Sequence, residues 1–344
     1  MTSGATRRSI GGIALVLAAF LAAGCDSSDD GDQRYPLDDR LRFNHVQAKG
    51  THNSYHVEPD TIFSDEHRYT HAPLDVQLAD QGVRQFEIDL HLREDQGFEV
   101  FHLPLIDPDT TCRRFMDCLA LTRAWSDANP GHLPIVFWLE PKDEADDPAL
   151  DPEMIPIEGH YDELEAEILS VWPAERILAP DDLRRGLDTL PEAVAAHGWP
   201  TLGELRGKAI FSMLDSGEHR EAYAAGSPNL NGKLMFVDAS DPTDAYAAMF
   251  KINNAVSDAE RVRTLLEQGF VVTSNTDGVD RSDEDNAKKL AATLAAGSHF
   301  ISSDLPAPVD GHEYWFDMPG GAPARCNPLT APAECTSEDV EILP

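Results

Sequence analysis

The sequence is poor in basic residues. Lysine and arginine together number 27 in a chain of 344 residues, against 61 aspartates and glutamates, so the formal net charge at pH 7 is −34. This balance argues against nucleic acid as a partner, because such binding depends on basic groups that neutralise phosphates. It also disfavours an anionic substrate unless a bound cation reverses the local field.

Long apolar runs are also scarce, and the run near the N-terminus covers only residues 10–23. It is too short to span a membrane comfortably and follows the basic residues Arg7 and Arg8, an order typical of an export signal. The end of the run resembles a bacterial lipobox, in which Cys25 would be lipidated and become the new N-terminus. Ordinary signal cleavage near this point is the alternative. We therefore predict an exported protein, either anchored to a membrane through Cys25 or secreted.

Cysteine is sparse, and the five cysteines include no Cys-x-x-Cys pair, so no zinc site of that kind is predicted. Export leads to an oxidising compartment, where the four cysteines other than Cys25 can pair in three ways. We favour the bonds Cys112–Cys118 and Cys326–Cys335, because short loops close most easily. Cysteines six residues apart do not face each other on a regular helix, so the first bond requires a loop or an irregular turn.

Apolar segments alternate with helical ones along most of the chain. Strands are predicted near residues 43–49, 85–91, 134–139, 208–214, 233–237, 249–252, 270–274 and 299–303. Helices are predicted over residues 74–81, 113–128, 161–171, 243–248, 258–268 and 284–296, with a short helical turn at 201–205. Eight parallel strands with intervening helices predict an α/β fold of the (β/α)8 TIM-barrel type, irregular where the connection after residue 237 is short.

No internal repeat and no interior linker interrupts this pattern, so one barrel domain is predicted, and we expect a monomer. The full organisation is a lipoprotein signal peptide over residues 1–24, a polar tether over 25–40 and the barrel domain over 41–344. Residues 304–344 are rich in proline and glycine and hold the last two cysteines, which predicts a disulfide-stapled C-terminal cap.

The stretch over residues 84–104 contains an alternating strand, a turn signal and a second short strand that ends at His102. Glu87 and Asp89 share one face of the first strand. A two-residue loop at positions 95–96 would set Asp89 opposite His102. The connection is too short for a parallel crossover, so the second arm is predicted as an antiparallel flap outside the barrel. The alternative is a solvated hairpin face that carries ordinary charges.

Oxygen-bearing side chains follow three successive predicted strands, at the ends that form the mouth of a barrel. They are Asn53, Glu87, Asp89 and Glu140. Such donors suit a hard divalent cation, Ca²⁺ or, less readily, Mg²⁺, with water or substrate oxygens completing the shell. Three carboxylates pointed into one mouth would repel each other without a metal.

Two histidines, His52 and His102, flank these oxygens. Beside a divalent cation, one imidazole can assist an attacking hydroxyl and the other can protonate a leaving alkoxide, as phosphodiester cleavage requires. Lys142 can pair with a phosphate oxygen as a point charge. Each residue also has a structural alternative: His52 as a loop cap, His102 as a rim histidine, and Glu140 as the ion-pair partner of Lys142.

Four segments together resemble the calcium-dependent phosphatidylinositol-specific phospholipases C, in particular a bacterial secreted branch. They are residues 50–55, 86–89, 100–102 and 138–142, and residues 203–208 and 300–304 also look like that branch. The resemblance implies a catalytic pair, His52 and His102, and a phosphate contact, Lys142. It also implies calcium ligands, namely Asn53, Glu87, Asp89 and Glu140. The implied reaction is attack of an inositol hydroxyl on its own phosphodiester in a membrane phospholipid, which releases diacylglycerol and a cyclic inositol phosphate.

One difference from that branch lies at the end of the seventh predicted strand. Relatives often carry an arginine there, whereas this chain has Asn275 and no arginine before Arg281. Lys251 on the sixth strand is predicted as a substitute contact with the head group, and a surface lysine is the alternative.

Two other functions fit parts of the pattern. Glycerophosphodiester phosphodiesterases and phospholipase D-type barrels also use Glu-x-Asp followed by a histidine, but their first histidine commonly lies in His-Arg-Gly, unlike His52 here. A non-catalytic calcium-dependent binding lipoprotein is the alternative from another class, although binding alone requires neither His52 nor His102.

Overall fold

A computed structural model describes residues 1–2, 4, 35–143, 151, 153–215, 217–309, 311–321 and 323–342. The compact unit spans Tyr35–Pro344. The predicted lipidation site, Cys25, and nearly all of the predicted signal peptide and tether lie outside the described residues. Among the helices of the described part, no span is both long and apolar enough to cross a membrane.

A barrel of parallel strands forms the centre of the unit. The strands of the described residues are β1 (Val46–Thr51), β2 (Val83–Arg93), β3 (Gly97–Val100), β4 (Ile135–Pro141), β5 (Met154–Ile155), β6 (Ala209–Met213), β7 (Phe236–Val237), β8 (Met249–Lys251), β9 (Val271–Asn275), β10 (Phe300–Ser303) and β11 (Ala324–Cys326). The barrel strands pair in the order β7-β6-β4-β2-β1-β10-β9-β8. An isolated parallel bridge between Asp238 and Met249 joins the two ends, so the predicted (β/α)8 barrel is confirmed.

Helices fill most of the connections between the barrel strands. Those of the described residues are α1 (Leu74–Ala79), α2 (Phe115–Ala128), α3 (Tyr161–Val171), α4 (Pro180–Arg184), α5 (Leu190–His197), α6 (Leu202–Leu205), α7 (Glu218–Ala224), α8 (Ala259–Glu267) and α9 (Asp283–Ala296). The helix predicted over 243–248 is wrong, because this segment forms turns. There the Asp241 carboxylate accepts hydrogen bonds from the backbone and hydroxyl of Thr243, which satisfies the backbone without a helix.

The flap of β2 and β3 has a register one residue away from the predicted one. Arg93 pairs with Gly97, so the loop between them has three residues and not two. Gly97 has φ 81°, a left-handed conformation typical of the longer loop. Strand pairing ends at Val100, and Phe101 stacks on His91 with ring centroids 3.7 Å apart. The predicted pairing of Asp89 with His102 is therefore wrong, and His102 lies in the turn that follows the flap.

The C-terminal segment joins the barrel through β11, which pairs antiparallel with the first half of β1. Both predicted disulfide bonds are present, with Cα–Cα distances of 5.4 Å for Cys112–Cys118 and 6.1 Å for Cys326–Cys335. Cys112 lies just before α2, and α2 begins at Phe115, two residues later than predicted. This late start gives the first bond the irregular turn that its spacing requires.

A buried ion pair joins the end of the chain to the barrel. The Arg84 guanidinium donates to both carboxylate oxygens of Glu341, at 2.9 and 2.7 Å, and stacks over Trp125 at 4.7 Å. Glu341 also accepts a hydrogen bond from the Leu133 amide at 3.1 Å. Arg84 is fully buried, so its charge depends on this partner.

We therefore predict that Glu341→Gln lowers the free energy of unfolding by about 3–5 kcal/mol, because it leaves the buried Arg84 charge uncompensated. The matched control is Glu334→Gln in the exposed pair with Arg40, which should change stability by less than about 1 kcal/mol. Chemical unfolding measures both. Equal effects of the two substitutions would contradict a special role for the buried pair.

Candidate active site

Side chains on β2 and β4 alternate between the barrel interior and the surrounding helices. The Trp138 indole donates a hydrogen bond across the barrel to Thr273 Oγ1 at 3.1 Å, so this side chain points inward. In the register between β2 and β4, Glu87 pairs with Trp138 and Asp89 pairs with Glu140. Because every second residue of a strand shares a face, all three carboxylates point to the carboxyl-terminal mouth of the barrel.

Two lysines lie against these carboxylates. The Lys142 ammonium lies 3.0 Å from Asp89 Oδ2 and 2.9 Å from Glu140 Oε1. Lys251 pairs with Glu87, and only 3% of the Lys251 side chain is exposed. The sequence predicts both lysines as substrate contacts, and in the structure each ammonium group lies against a carboxylate. The physical reason is that crowded carboxylates attract the nearest ammonium groups strongly when water is largely excluded.

The oxygens at the mouth suit a hard divalent cation. Apart from the ion pair just described, neither oxygen of the fully buried Asp89 carboxylate has a well-aligned hydrogen-bond partner. Burial first, and then the charge of Glu140, raise the pKa of Asp89 to about 8. Asn53 lies on the loop after β1. In this loop the Ser54 amide donates a hydrogen bond of 2.9 Å to the Glu87 carbonyl, which holds the loop against β2. Asn53 and these carboxylates are the residues that the sequence predicts as calcium ligands, and oxygen donors of this kind suit Ca²⁺.

His52 lies between two carboxylates. Its Nδ1 is 2.8 Å from Asp304 Oδ1, and its Nε2 is 3.7 Å from Glu87 Oε1. Burial lowers the pKa of His52, but the charges of Asp304 and Glu87 together outweigh burial and raise it to about 9. The His52 side chain is 34% exposed, so solvent screens part of each contribution. In the metal-free protein His52 is therefore mainly protonated at neutral pH.

His102 has a carboxylate partner of its own. Its Nδ1 lies 2.7 Å from Asp107 Oδ2, and Asp107 Oδ1 lies 2.9 Å from His56 Nε2. Burial raises the pKa of Asp107, but the two histidines outweigh burial and lower it to about 2. Burial and the charge of Lys142 lower the pKa of His102, against the opposing effect of Asp107. His102 is therefore mainly neutral at pH 7, the opposite of His52.

Neither Asp304 nor Asp107 is assigned a role from the sequence. Each accepts a hydrogen bond from a histidine ring and so fixes its orientation, as in catalytic histidine–aspartate pairs. Asp304 directly follows β10, and the ends of barrel strands are where catalytic residues concentrate, so its position could have revealed it. Asp107 lies in the irregular turn after the flap, and no sequence pattern distinguishes it from other acidic loop residues.

A cavity of about 790 Å³ opens at the mouth, and His52, Asn53 and His102 all line it. The three carboxylates on β2 and β4 are not among the described residues that line the cavity. Two basic residues, Arg281 and Lys289, do line it. Neither residue has a role predicted from the sequence, so they are further candidates for contact with an anionic substrate.

The fold is a (β/α)8 barrel with two histidine–aspartate pairs at its mouth, an arrangement that suits phosphodiester cleavage. The model of the family described as "Phosphoinositide phospholipase C, Ca2+-dependent" matches residues 41–97 and 91–328. The chain belongs to this family, as the resemblance in its sequence predicts.

Solved structures of bacterial enzymes share the fold. The calcium-dependent phosphoinositol-specific phospholipase C of a Pseudomonas species, in its apo form, is 18% identical with a TM-score of 0.57, over 85% of this chain and 97% of that chain. Its myo-inositol complex gives 17% identity and a TM-score of 0.56 over the same shares. The enzyme from Streptomyces antibioticus is 20% identical with a TM-score of 0.54, over 77% of this chain and 95% of that chain. Comparison with curated protein sequences gives no match.

The arrangement around His52 generates a prediction for the metal-free protein. Asp304→Asn removes the closest negative charge, so the pKa of His52 should fall from about 9 by at least about one unit, because burial is then less opposed. The histidine ring resonances in a proton NMR titration with chelator measure this pKa. Asp280→Asn is the matched control, since Asp280 lines the same cavity without an ion pair to His52. An unchanged titration in Asp304→Asn would show that Asp304 does not control the ring.

Proposed function

We propose that the protein is a calcium-dependent phosphodiesterase that cleaves phosphatidylinositol-type phospholipids to diacylglycerol and an inositol phosphate, cyclic or linear. One observation carries the proposal: His52 with Asp304 and His102 with Asp107 form two oriented histidine–aspartate pairs on one cavity. Membership of the family supports the same reaction.

The proposed reaction is attack of an inositol hydroxyl on the neighbouring phosphodiester. It requires a neutral imidazole to accept the hydroxyl proton and a protonated imidazole to supply a proton to the leaving alkoxide. The opposite pKa shifts of His52 and His102 keep the two rings in different protonation states. Asp304 and Asp107 engage Nδ1 of each ring, which leaves Nε2 for proton transfer.

Four residues would hold the cation, namely Asn53, Glu87, Asp89 and Glu140. When bound, Ca²⁺ lowers the pKa of the attacking hydroxyl and offsets the negative charge that develops on the phosphoryl oxygens. A protein with a formal charge of −34 has particular need of such a cation where an anionic lipid binds.

Basic side chains complete the proposed substrate contacts. Lys142 lies at the carboxylate cluster and supplies a point charge for a phosphate oxygen. Arg281 and Lys289 line the cavity and replace the arginine that is missing at Asn275 as contacts for the head group. The solved complex of the Pseudomonas enzyme with myo-inositol supports an inositol head group. Lys251 forms an ion pair with Glu87, so its proposed role is to neutralise this carboxylate and not to contact the head group.

Apolar residues at the rim of the mouth support action at a membrane surface. Phe63, Leu105 and Ile106 are 64%, 70% and 38% exposed, and Phe63 and Ile106 border the cavity itself. Exposed apolar side chains beside a lipid-binding cavity can enter the boundary between head groups and acyl chains. They would bring the mouth to its substrate.

The proposal for the cellular location rests on the N-terminal sequence and the disulfide bonds. The two bonds support export to an oxidising compartment. We retain a signal peptide over 1–24, lipidation at Cys25 and a tether over 25–40 before the single barrel domain, which would hold a monomeric enzyme next to a bilayer.

Vesicles of defined composition test the reaction. We expect diacylglycerol and inositol phosphate from phosphatidylinositol in the presence of Ca²⁺, and neither product after chelation, because the carboxylate cluster then lacks its cation. His52→Ala and His102→Ala should each lower kcat by about 10²–10⁴-fold while calcium binding, measured by calorimetry, persists. His160→Ala, at a half-buried histidine paired with Glu163, is the matched control.

Other products would redirect the assignment. Choline from phosphatidylcholine, or glycerol phosphate from glycerophosphocholine, would favour a phospholipase D-type or glycerophosphodiester enzyme. Full turnover in both histidine variants would remove the catalytic assignment of these residues.

The apolar rim generates a separate prediction. Substituting both Phe63 and Leu105 by serine should lower turnover on vesicles by about tenfold or more, since a fully buried apolar side chain contributes roughly 1.5–3 kcal/mol. Turnover of a water-soluble inositol phosphodiester should not change. Leu169→Ser on α3, where the side chain is 41% exposed, is the control for loss of an exposed leucine. An equal loss of turnover on vesicles and on the soluble substrate would show that these side chains act in the active site and not in membrane binding.

A further inference from the structure

A group of possible metal ligands at the mouth cavity has different chemistry from the proposed calcium ligands. His67, His102 and Asp107 each offer one ligand atom, and these atoms all lie within 4.8 Å of one another. The cluster joins two loops: a short helical turn, Asp65–His67, supplies the first histidine, and the turn after β3 supplies the other two residues. We refer to these three residues as the His67 cluster.

The imidazole of His67 lacks a hydrogen-bond partner at Nδ1. The residue is only 6% exposed, and its Nδ1 atom is buried without any hydrogen bond. The nearest carboxylate oxygen, Asp107 Oδ2, lies 3.7 Å away, which is too long for a hydrogen bond. A buried polar atom without a partner is unfavourable, and a ligand between His67 and Asp107 would satisfy it.

The spacing fits a small tetrahedral ion. Ligand atoms at 2.0–2.2 Å from a tetrahedral zinc are about 3.4 Å apart, close to the 3.7 Å between His67 Nδ1 and Asp107 Oδ2. His102 is held 2.7 Å from the same oxygen by a hydrogen bond, which coordination would replace. His56 Nε2 lies 2.9 Å from the other carboxylate oxygen of Asp107. Hydrogen bonds of this kind commonly orient a carboxylate that binds a metal.

The donor types separate this cluster from the proposed calcium ligands. Two imidazole nitrogens and one carboxylate oxygen suit Zn²⁺ and similar transition-metal ions, whereas Ca²⁺ prefers oxygen donors alone. His67 and His102 both line the mouth cavity, so a fourth coordination position would be open to water or to a phosphate oxygen.

We propose that the His67 cluster binds Zn²⁺ or a chemically similar ion, and that this ion inhibits the enzyme reversibly. On binding, the Nδ1 lone pair of the neutral His102 ring coordinates the metal, and the proton that Nδ1 shared with Asp107 is carried by Nε2 instead, so the ring changes tautomer and stays neutral. His102 is then withdrawn from proton transfer. The inhibitory part rests on the proposed function, whereas the metal site itself does not.

Calorimetry with Zn²⁺ in buffer saturated with Ca²⁺ tests the site directly, on the full chain without an affinity tag. The wild-type chain should bind one Zn²⁺, and His67→Phe should weaken this binding by at least about tenfold. Visible absorption of bound Co²⁺ provides a second readout of nitrogen ligation. The matched control is His219→Phe, at another largely buried histidine that lies 3.5 Å from a carboxylate, Asp143.

Activity assays test the inhibition. Zn²⁺ should inhibit the wild-type chain and His219→Phe, whereas whatever calcium-dependent turnover His67→Phe retains should resist Zn²⁺. That turnover also shows that the variant is folded. Absence of Zn²⁺ binding by the wild-type chain, or equal binding and inhibition in His67→Phe, would overturn the proposal. If no chain cleaves phosphatidylinositol, the proposed function fails, and calorimetry alone decides whether the metal site exists.

Discussion

The mouth of the barrel is governed by the crowding of like charges. The parallel register of β2 and β4 points Glu87, Asp89 and Glu140 to the same end of the barrel. Lys142 and Lys251 offset part of this charge. Asp89 nevertheless remains fully buried with a raised pKa, so the cluster still favours an additional cation. The high pKa of His52 is part of the same balance, because Glu87 is one of the two anions beside it.

The barrel and its loops contribute different chemistry to the site. Strand pairing fixes the acids, whereas His52 and His102 lie on loops whose positions depend on hydrogen bonds with Asp304 and Asp107. Asp107 is central to this arrangement, because His56 and His102 contact its two carboxylate oxygens from different loops. The orientation of the imidazoles therefore depends on these two aspartates and not on the sheet.

Loop geometry explains where sequence-based prediction was wrong. The segment between Arg93 and Gly97 is compatible with either a two-residue or a three-residue turn, and the left-handed conformations of Asp95 and Gly97 decide for the longer one. A shift of one residue in the strand register turns each side chain of β3 to the opposite face of the flap. The helix predicted over 243–248 is wrong for a similar reason, because the Asp241 side chain competes locally for backbone groups.

The sequence by itself determined the barrel, both disulfide pairings and the types of side chain at the strand ends, because periodicity and short spacing act locally along the chain. Only the tertiary structure decided which charges meet. Asp304 lies 252 residues from His52, and Lys251 lies 164 residues from Glu87, so no local pattern records either pair. These contacts depend on distances across the barrel mouth, which exist only once the strands have closed.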